Sequence, residues 1–296
     1  MRTPNTDRLG TLFDRFRVQA ETFFAGPLCS QPHYDRARGR GFMHLLRSGR
    51  LRVVHEQADG APQPIELSEP TLIFYPRPWA HGFLMGERGE AELLCATLRF
   101  DGGEAHPLAS ALPAVLIVPL RELQPIEHTL ALLFGEAENA VRGDRLLADR
   151  LFEVLLIQLL RWLLERPERY AVQPGLMLGL AHPQLALALL AMQRRPHEAW
   201  TLESLAACAG MSRSAFAASF REVVGQTPLE HLAQWRMALA KQALLRGEPV
   251  KRIAAEVGYG SASALSRAFT ARSGQAPQQW LAARRADGAA SVPVTE

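Results

Sequence analysis

Through the first 120 residues the apolar positions fall in short runs: Leu51-Arg-Val-Val54, Thr71-Leu-Ile-Phe-Tyr75, Leu93-Leu-Cys-Ala-Thr-Leu-Arg-Phe100 and Val115-Leu-Ile-Val118. Gly, Pro and Asp punctuate them, a pattern that predicts strands and an all-β barrel or sandwich. The period then changes. From Glu127 to about Glu165 the apolar side chains keep helical spacing, with Leu147, Leu151, Leu155, Leu159 and Trp162 in one stripe that Phe152 and Leu156 widen. Pro167 ends that pattern, and the mixture of Pro, Gly and Arg from Glu165 to Pro183 predicts an interdomain linker. Beyond it the chain reads as helix throughout. Thr227-Pro-Leu-Glu230 is a capping box with proline at the first helical position, predicting a long helix from Pro228 to about Arg246. The tail after Arg285 has nothing to bury and is expected to be disordered.

Within the helical part the pattern occurs twice. Leu205-Ala-Ala-Cys-Ala-Gly210-Met-Ser-Arg-Ser-Ala-Phe216, followed by Phe220, Gly225 and Pro228, returns as Ile253-Ala-Ala-Glu-Val-Gly258-Tyr-Gly-Ser-Ala-Ser-Ala-Leu265, followed by Phe269, Gly274 and Pro277. The offset is 48 residues up to the glycine and 49 after it. A unit this short is too small for a catalytic domain and the right size for a helix-turn-helix. In the first unit Thr201 caps a helix that buries Leu202, Leu205 and Ala206, Gly210 supplies the turn, Ser212 caps a second helix, and Phe216, Phe220 and Val223 anchor it. Its free face carries Arg213, Ser214, Ala217, Ala218 and Arg221. In the second unit Ile253, Ala254 and Val257 pack, Gly258 turns, Leu265 and Phe269 anchor, and Ser261, Ser263, Ser266 and Arg267 face outward. Two such units on one connecting helix would enter successive major-groove turns, roughly 34 Å apart, and let a monomer read a bipartite site. A helical solenoid would want at least three repeats and has no use for an arginine-rich face.

Charge supports that division. The net +3 resolves into +5 from Leu190 onward and −2 before it, so the basic surface belongs to the repeat half. A length of 296 residues predicts about two domains. No apolar stretch reaches the roughly 18 residues of a membrane span, and Met1-Arg-Thr-Pro-Asn-Thr-Asp lacks the core of a signal peptide, so a cytoplasmic protein with no membrane partner is expected. Cys29, Cys95 and Cys208 have no CxxC spacing, which leaves free thiols as the expectation.

The run Leu202-Glu-Ser-Leu-Ala-Ala-Cys-Ala-Gly-Met-Ser-Arg-Ser-Ala-Phe, then Phe220-Arg-Glu-Val-Val-Gly-Gln-Thr-Pro and Trp235-Arg-Met, closed by Ile253-Ala-Ala-Glu-Val-Gly-Tyr-Gly-Ser-Ala-Ser-Ala-Leu-Ser-Arg-Ala-Phe, resembles the DNA-binding domain of the AraC/XylS family over residues 183–285. The resemblance implies base-reading positions at Arg213, Ser214, Ala217 and Ala218 in the first recognition helix and at Ala262, Ser263, Ser266 and Arg267 in the second, with Ser212 and Ser261 at their starts. Ala217 and Ala218 depart from the long polar side chains of many relatives. Alanine can touch a thymine methyl but makes no bidentate hydrogen bond, so more is left to Arg213 and Arg267. Arg221 is open between a phosphate contact and simple solvation.

The β-rich half, residues 7–165, resembles the cupin-type domain of one AraC-like branch that includes oxidant-responsive activators. Gly41-Phe-Met-His44 with Gly49, Ile73-Phe-Tyr-Pro76-Arg-Pro-Trp-Ala-His81, Leu94-Cys-Ala-Thr-Leu-Arg-Phe-Asp101 and His106-Pro-Leu carry the likeness. Catalytic cupins need three or four metal ligands. Here only His44 and His81 fall at ligand positions, Leu46 and other non-ligands replacing the rest. A hydrogen-bonded or effector-lining role is therefore expected for both, with no resident cofactor. Cys29 and Cys95 form the alternative sensor, a redox one. The expectation is an α+β two-domain fold, a cupin-like β-barrel with trailing helices followed by an all-α double helix-turn-helix. Its function would be that of a transcriptional activator binding double-stranded DNA, acting on RNA polymerase, homodimeric, controlled by a small molecule or an oxidant, and not an enzyme. The rival is a metal-dependent cupin enzyme fused to a DNA-binding domain, with His33 or His55 as third ligand.

Overall fold

The computed structural model describes residues 7–36, 40–56, 63–85, 91–101, 106–137, 139, 142, 144–167 and 174–289. The chain separates into two compact units, Met1–His182 and Pro183–Glu296.

The first unit opens with a short helix, α1 (Gly10–Arg15), and continues in strands β1 (Val18–Pro27), β2 (His33–Tyr34), β3 (Arg40–Gly49), β4 (Leu51–His55), β5 (Ile65–Leu67), β6 (Thr71–Tyr75), β7 (His81–Met85), β8 (Ala91–Phe100) and, after helix α2 (Pro107–Ala111), β9 (Leu116–Pro119). They form a five-stranded sheet ordered β1-β8-β3-β6-β9 and a four-stranded sheet ordered β2-β7-β4-β5, with antiparallel pairing throughout. Phe42, Leu46, Ile73, Tyr75 and Cys95 of the larger sheet share one core with Leu51, Val53, Leu67 and Phe83 of the smaller. The predicted barrel is thus an open pair of sheets.

Among the described residues, the apolar pattern from Glu127 to Glu165 includes the helices α3 (Glu127–Gly135) and α4 (Leu146–Leu164). The ten residues between them, 136–145, carry five charged side chains and few apolar ones. α4 buries Phe152, Leu155, Leu156, Leu159 and Leu163. It also closes the edge of β1: Thr22 N–H donates to Asp149 Oδ1 at 2.6 Å, Ala20 N–H to Glu153 Oε1 at 3.2 Å, and Arg145 donates to the Thr22 carbonyl at 3.1 Å. Side chains of a helix thereby satisfy backbone groups that an open edge would leave exposed.

Part of the predicted linker is helix, α5 (Leu176–Ala181), with Leu176, Met177 and Leu180 buried and Arg8 donating to the carbonyls of Leu180 and Ala181. Weak periodicity hid it because the helix spans less than two turns. Residues 168–173 of that linker, and 290–296 of the tail expected to be disordered, lie outside the described residues. Up to Ala289 that tail is helical.

The second unit is helical: α6 (Pro183–Arg194), α7 (Leu202–Cys208), α8 (Arg213–Val224), α9 (Pro228–Leu245), α10 (Val250–Glu256), α11 (Ala262–Ser273) and α12 (Pro277–Ala289). No helix among the described residues is long and apolar enough to cross a membrane.

Candidate nucleic-acid interface and sensor core

Each half of the second unit is a pair of helices joined by a glycine turn, α7–α8 and α10–α11. Gly210 (φ 63°) and Gly258 (φ 81°) take the left-handed conformation that follows the first helix of each pair. Ser212 and Ser261 then start the second helices, their hydroxyls accepting from the N–H groups of Ala215 and Ala264. Leu205, Ala206, Phe216 and Phe220 are buried in the first pair, Ile253, Ala254, Val257, Leu265 and Phe269 in the second. The third anchor of α8 is Val224 rather than Val223; a 4-residue step from Phe216 through Phe220 reaches it, and Val223 is only half-buried. Leu202, expected on the inner face of α7, is half-buried, as is Cys208 at its end.

The outer faces are set by those anchors. On α8, Ser212, Arg213, Ser214, Ala218 and Arg221 are exposed and Ala217 is half-buried. On α11, Ser261, Ser263 and Arg267 are exposed, with Ala262 and Ser266 half-buried. Arg213 is not a bare charge: its Nη1 lies 3.0 Å from Glu203 Oε1 on α7.

α9 joins the pairs and begins as its sequence predicts, with a reciprocal capping box between Thr227 and Glu230. One residue of α9 escaped the sequence reading. Arg236 donates from Nε to the Pro196 carbonyl (2.7 Å) and from Nη2 to the Glu198 carbonyl (2.8 Å), and its guanidinium lies 5.9 Å from the Tyr259 ring. It thus pins the loop before α7 to the turn of the second pair. No local pattern marks such a contact, because its partners lie about 40 residues away.

In the first unit, His44 on β3 and His81 on β7 meet between the sheets with their Nε2 atoms 2.9 Å apart. Both are buried. Burial holds the His81 imidazole neutral, lowering its pKa to about 4, and pushes that of His44 well below the ordinary range, with the neighbouring His81 adding to the effect. The tautomers follow. His81 Nδ1 stands 2.7 Å from the Trp79 carbonyl, which can only accept, so Nδ1 carries the proton and Nε2 is an acceptor. His44 Nε2–H must then donate, leaving His44 Nδ1 a buried acceptor with no partner among the described residues. Phe23, Tyr34, Phe42, Tyr75 and Phe83 surround the pair, Tyr75 stacking on His81 at 4.1 Å. His55 is engaged with the Tyr75 hydroxyl at 2.8 Å, and His33 is an exposed residue beside Asp35 and Glu56. Two imidazoles bonded to each other inside an aromatic shell do not fit a cupin metal centre, and no group of three or more His, Cys, Asp or Glu among the described residues could hold a metal ion.

Cys29 and Cys95 occupy opposite environments. Cys95 is fully buried, hydrogen-bonded with Tyr34 and in register with His44, and burial pushes its thiol up. Cys29 is exposed just beyond β1. Cys95 faces Phe24 in the β1–β8 ladder and Pro27 faces Glu92, so Cys29 lies five residues further along. At about 3.3 Å per residue that exceeds the roughly 7 Å Cα reach of a disulfide.

Residues 7–165 match the Cupin family and residues 205–283 a family described as helix-turn-helix domain. A putative AraC-like transcription regulator of Streptomyces antibioticus is 40% identical over 240 residues, covering 72% of this chain and 78% of that one. One from Streptomyces lividans is 33% identical over 75% of this chain and 81% of its own. The RCS-specific HTH-type transcriptional activator RclR of Escherichia coli K12 is 29% identical over 71% and 74%.

Proposed function

The chain belongs to the AraC-like transcription regulators, a cupin half followed by a helix-turn-helix half, and is a DNA-binding transcriptional regulator; from that premise we propose that one chain reads a bipartite duplex site through α8 and α11 and that the cupin half controls the reading. The observation that carries this is the pair of serine-capped helices, each anchored by buried side chains and each presenting an arginine on its free face. Arg213, Ser214, Ala217 and Ala218 read one half-site and Ala262, Ser263, Ser266 and Arg267 the other, while Arg221 takes a phosphate. The test is a footprint of the full-length protein on duplexes it selects from a randomised library. Two protected major-groove segments about one helical turn apart are expected; a single segment, or protection indifferent to sequence, overturns the reading.

The regulator is an activator that engages RNA polymerase and has no reaction of its own. It acts as a homodimer through the apolar residues that α4 leaves outward, Leu147 and Val154, with Leu146 beside them. Two entry points for the signal are supported. The orphaned His44 Nδ1 offers an acceptor to a small molecule bearing a donor, at a place where an unmet buried group costs about 1–3 kcal/mol. The exposed Cys29 thiol offers itself to an oxidant, the kind of control favoured by the RCS-specific relative. DNA binding and transcription before and after mild oxidation, repeated with Cys29→Ser and Cys95→Ser, separate the two. A reversible response lost in Cys29→Ser assigns the signal to oxidation, and a response intact in both variants removes the thiols from it.

A further inference from the structure

Arg213 and Glu203 stand in a relation that has no counterpart in the second helix-turn-helix pair. Arg213 is the first residue of α8, and its Nη1 lies 3.0 Å from Glu203 Oε1 in the first turn of α7. The repeat offset places Lys251 and Ala262 at the matching positions, a cation and a methyl group that cannot form the pair. Its own backbone N–H, the Arg213 guanidinium and the Thr201 hydroxyl keep that carboxylate below the ordinary glutamate range, so it is charged beside Arg213. Guanidinium has five N–H donors in a rigid fork, so a carboxylate on one side leaves the rest of the fork free to meet guanine O6 and N7. The same carboxylate offsets part of the charge that would otherwise draw Arg213 to any phosphate, both side chains being solvent-exposed.

We propose that Glu203 is a positioning and specificity-determining residue, which holds Arg213 for base reading and withholds it from indiscriminate backbone contact. The inference rests on the assignment of Arg213 as a base reader. It follows that the two recognition helices differ in kind, α8 carrying a reader paired with a carboxylate and α11 an arginine, Arg267, with no ion pair of this type among the described residues.

The experiment compares the full chain with Glu203→Gln, Glu203→Asp, Arg213→Ala and the double variant Glu203→Gln/Arg213→Ala. The probes are a duplex selected by the wild-type protein, its single-base variants and a scrambled duplex, each titrated across salt concentrations. Glu203→Gln should tighten binding to the scrambled duplex, steepen the slope of log K against log salt by about one, and lower discrimination at one base pair roughly tenfold. Glu203→Asp should retain most of that discrimination. In the Arg213→Ala background the Glu203→Gln effects should vanish. If Arg213→Ala changes discrimination but Glu203→Gln alters neither salt slope nor base preference, this inference falls and the base-reading assignment stands. If Arg213→Ala leaves discrimination untouched, both fall. Melting curves for all variants identify any loss of fold, which would move every probe equally rather than one base pair.

Discussion

In the first helix-turn-helix pair Gly210 turns the chain with nothing within 4 Å of the Cβ it lacks; in the second, Gly258 would bring that atom to 2.7 Å from the His197 carbonyl oxygen and 2.9 Å from Arg236. The two pairs otherwise share a plan. Phe220 packs against His231 and Phe269 against Trp280, both with ring centroids 5.8 Å apart, and the offset of 49 residues relates one contact to the other. The differences lie outside the anchors. The first pair has an arginine at the start of its recognition helix and alanine at 218; the second has alanine at 262 and arginine at 267. The first begins with the Thr201 capping box, the second with Pro249 and no side-chain cap. Burial has thus kept the inner positions of the duplicated fold similar in size, whereas the outer positions have taken different chemistry. At the turn glycine itself the second pair is tightly approached, by His197 and Arg236, where the first has open space.

The sharpest way to break the comparison is Gly→Ala at both turns. Gly210→Ala meets only the cost of a left-handed backbone, about 1–2 kcal/mol. Gly258→Ala meets that cost and a collision with backbone, which cannot move aside as a side-chain tip can, for a total of about 2–5 kcal/mol. Denaturant unfolding followed by far-UV circular dichroism measures both. Equal losses would show that the His197 approach relaxes freely.

Acid should separate the pairs next. His231 is buried beneath Phe220, Gln226 Nε2 donates to its Nδ1 at 3.0 Å, and burial lowers its pKa to about 4, whereas Trp280 cannot titrate. Between about pH 6.5 and 4 the unfolded chain binds a proton that the folded one refuses. The stability tied to neutral His231 is therefore present above about pH 6.5 and drains away as pH falls, by up to about 3 kcal/mol near pH 4. Hydrogen-exchange protection of α8 should fall over that range relative to α11, and His231→Phe should remove the difference. Parallel loss in both helices would mean that the pairs open as one unit.

Most of this second unit was legible in the sequence because its determinants are local. A capping serine lies three residues from the N–H it satisfies, and a turn glycine adjoins the helix it ends. The repeat then counts each signal twice. The misplacement of the third anchor, Val223 for Val224, is a one-residue error within a face that both positions border. What escaped was non-local: Arg236 reaching Pro196, and Glu203 reaching across the turn to Arg213. In the first unit such relations dominate. β1 pairs with β8 across 65 to 82 residues, so nothing in the short runs told that His44 and His81 would meet, or that Cys29 and Cys95 would not. The helical stripe there was legible as a face, but helical spacing alone did not mark where α3 ends and α4 begins.

Arginine placement gives a smaller effect on specificity. Arg213→Ala and Arg267→Ala should each relax discrimination by about 1–3 kcal/mol, at different base pairs in different half-sites, while Arg221→Ala weakens all sequences alike. Binding to single-base variants of a selected duplex reads the difference. If Arg213→Ala and Arg267→Ala act on the same base pair, α8 and α11 do not read separate segments.

The smallest contrast is at the first helix of each pair. Thr201 accepts from the Ser204 N–H at 3.1 Å while the Ser204 hydroxyl receives the Thr201 N–H at 3.0 Å, so Thr201→Ala strips one of these bonds and should cost about 1 kcal/mol. Pro249 offers α10 no such bond, and its fixed φ supplies the entry geometry instead. Pro249→Ala should therefore act through the freer unfolded chain and cost less, about 0.4–1 kcal/mol. Because Glu203 sits in the turn that Thr201 caps, Thr201→Ala should also loosen Arg213 and blunt base discrimination slightly, an effect that Pro249→Ala has no route to produce. Stability loss from Thr201→Ala with discrimination unchanged would separate the cap from the reading of DNA.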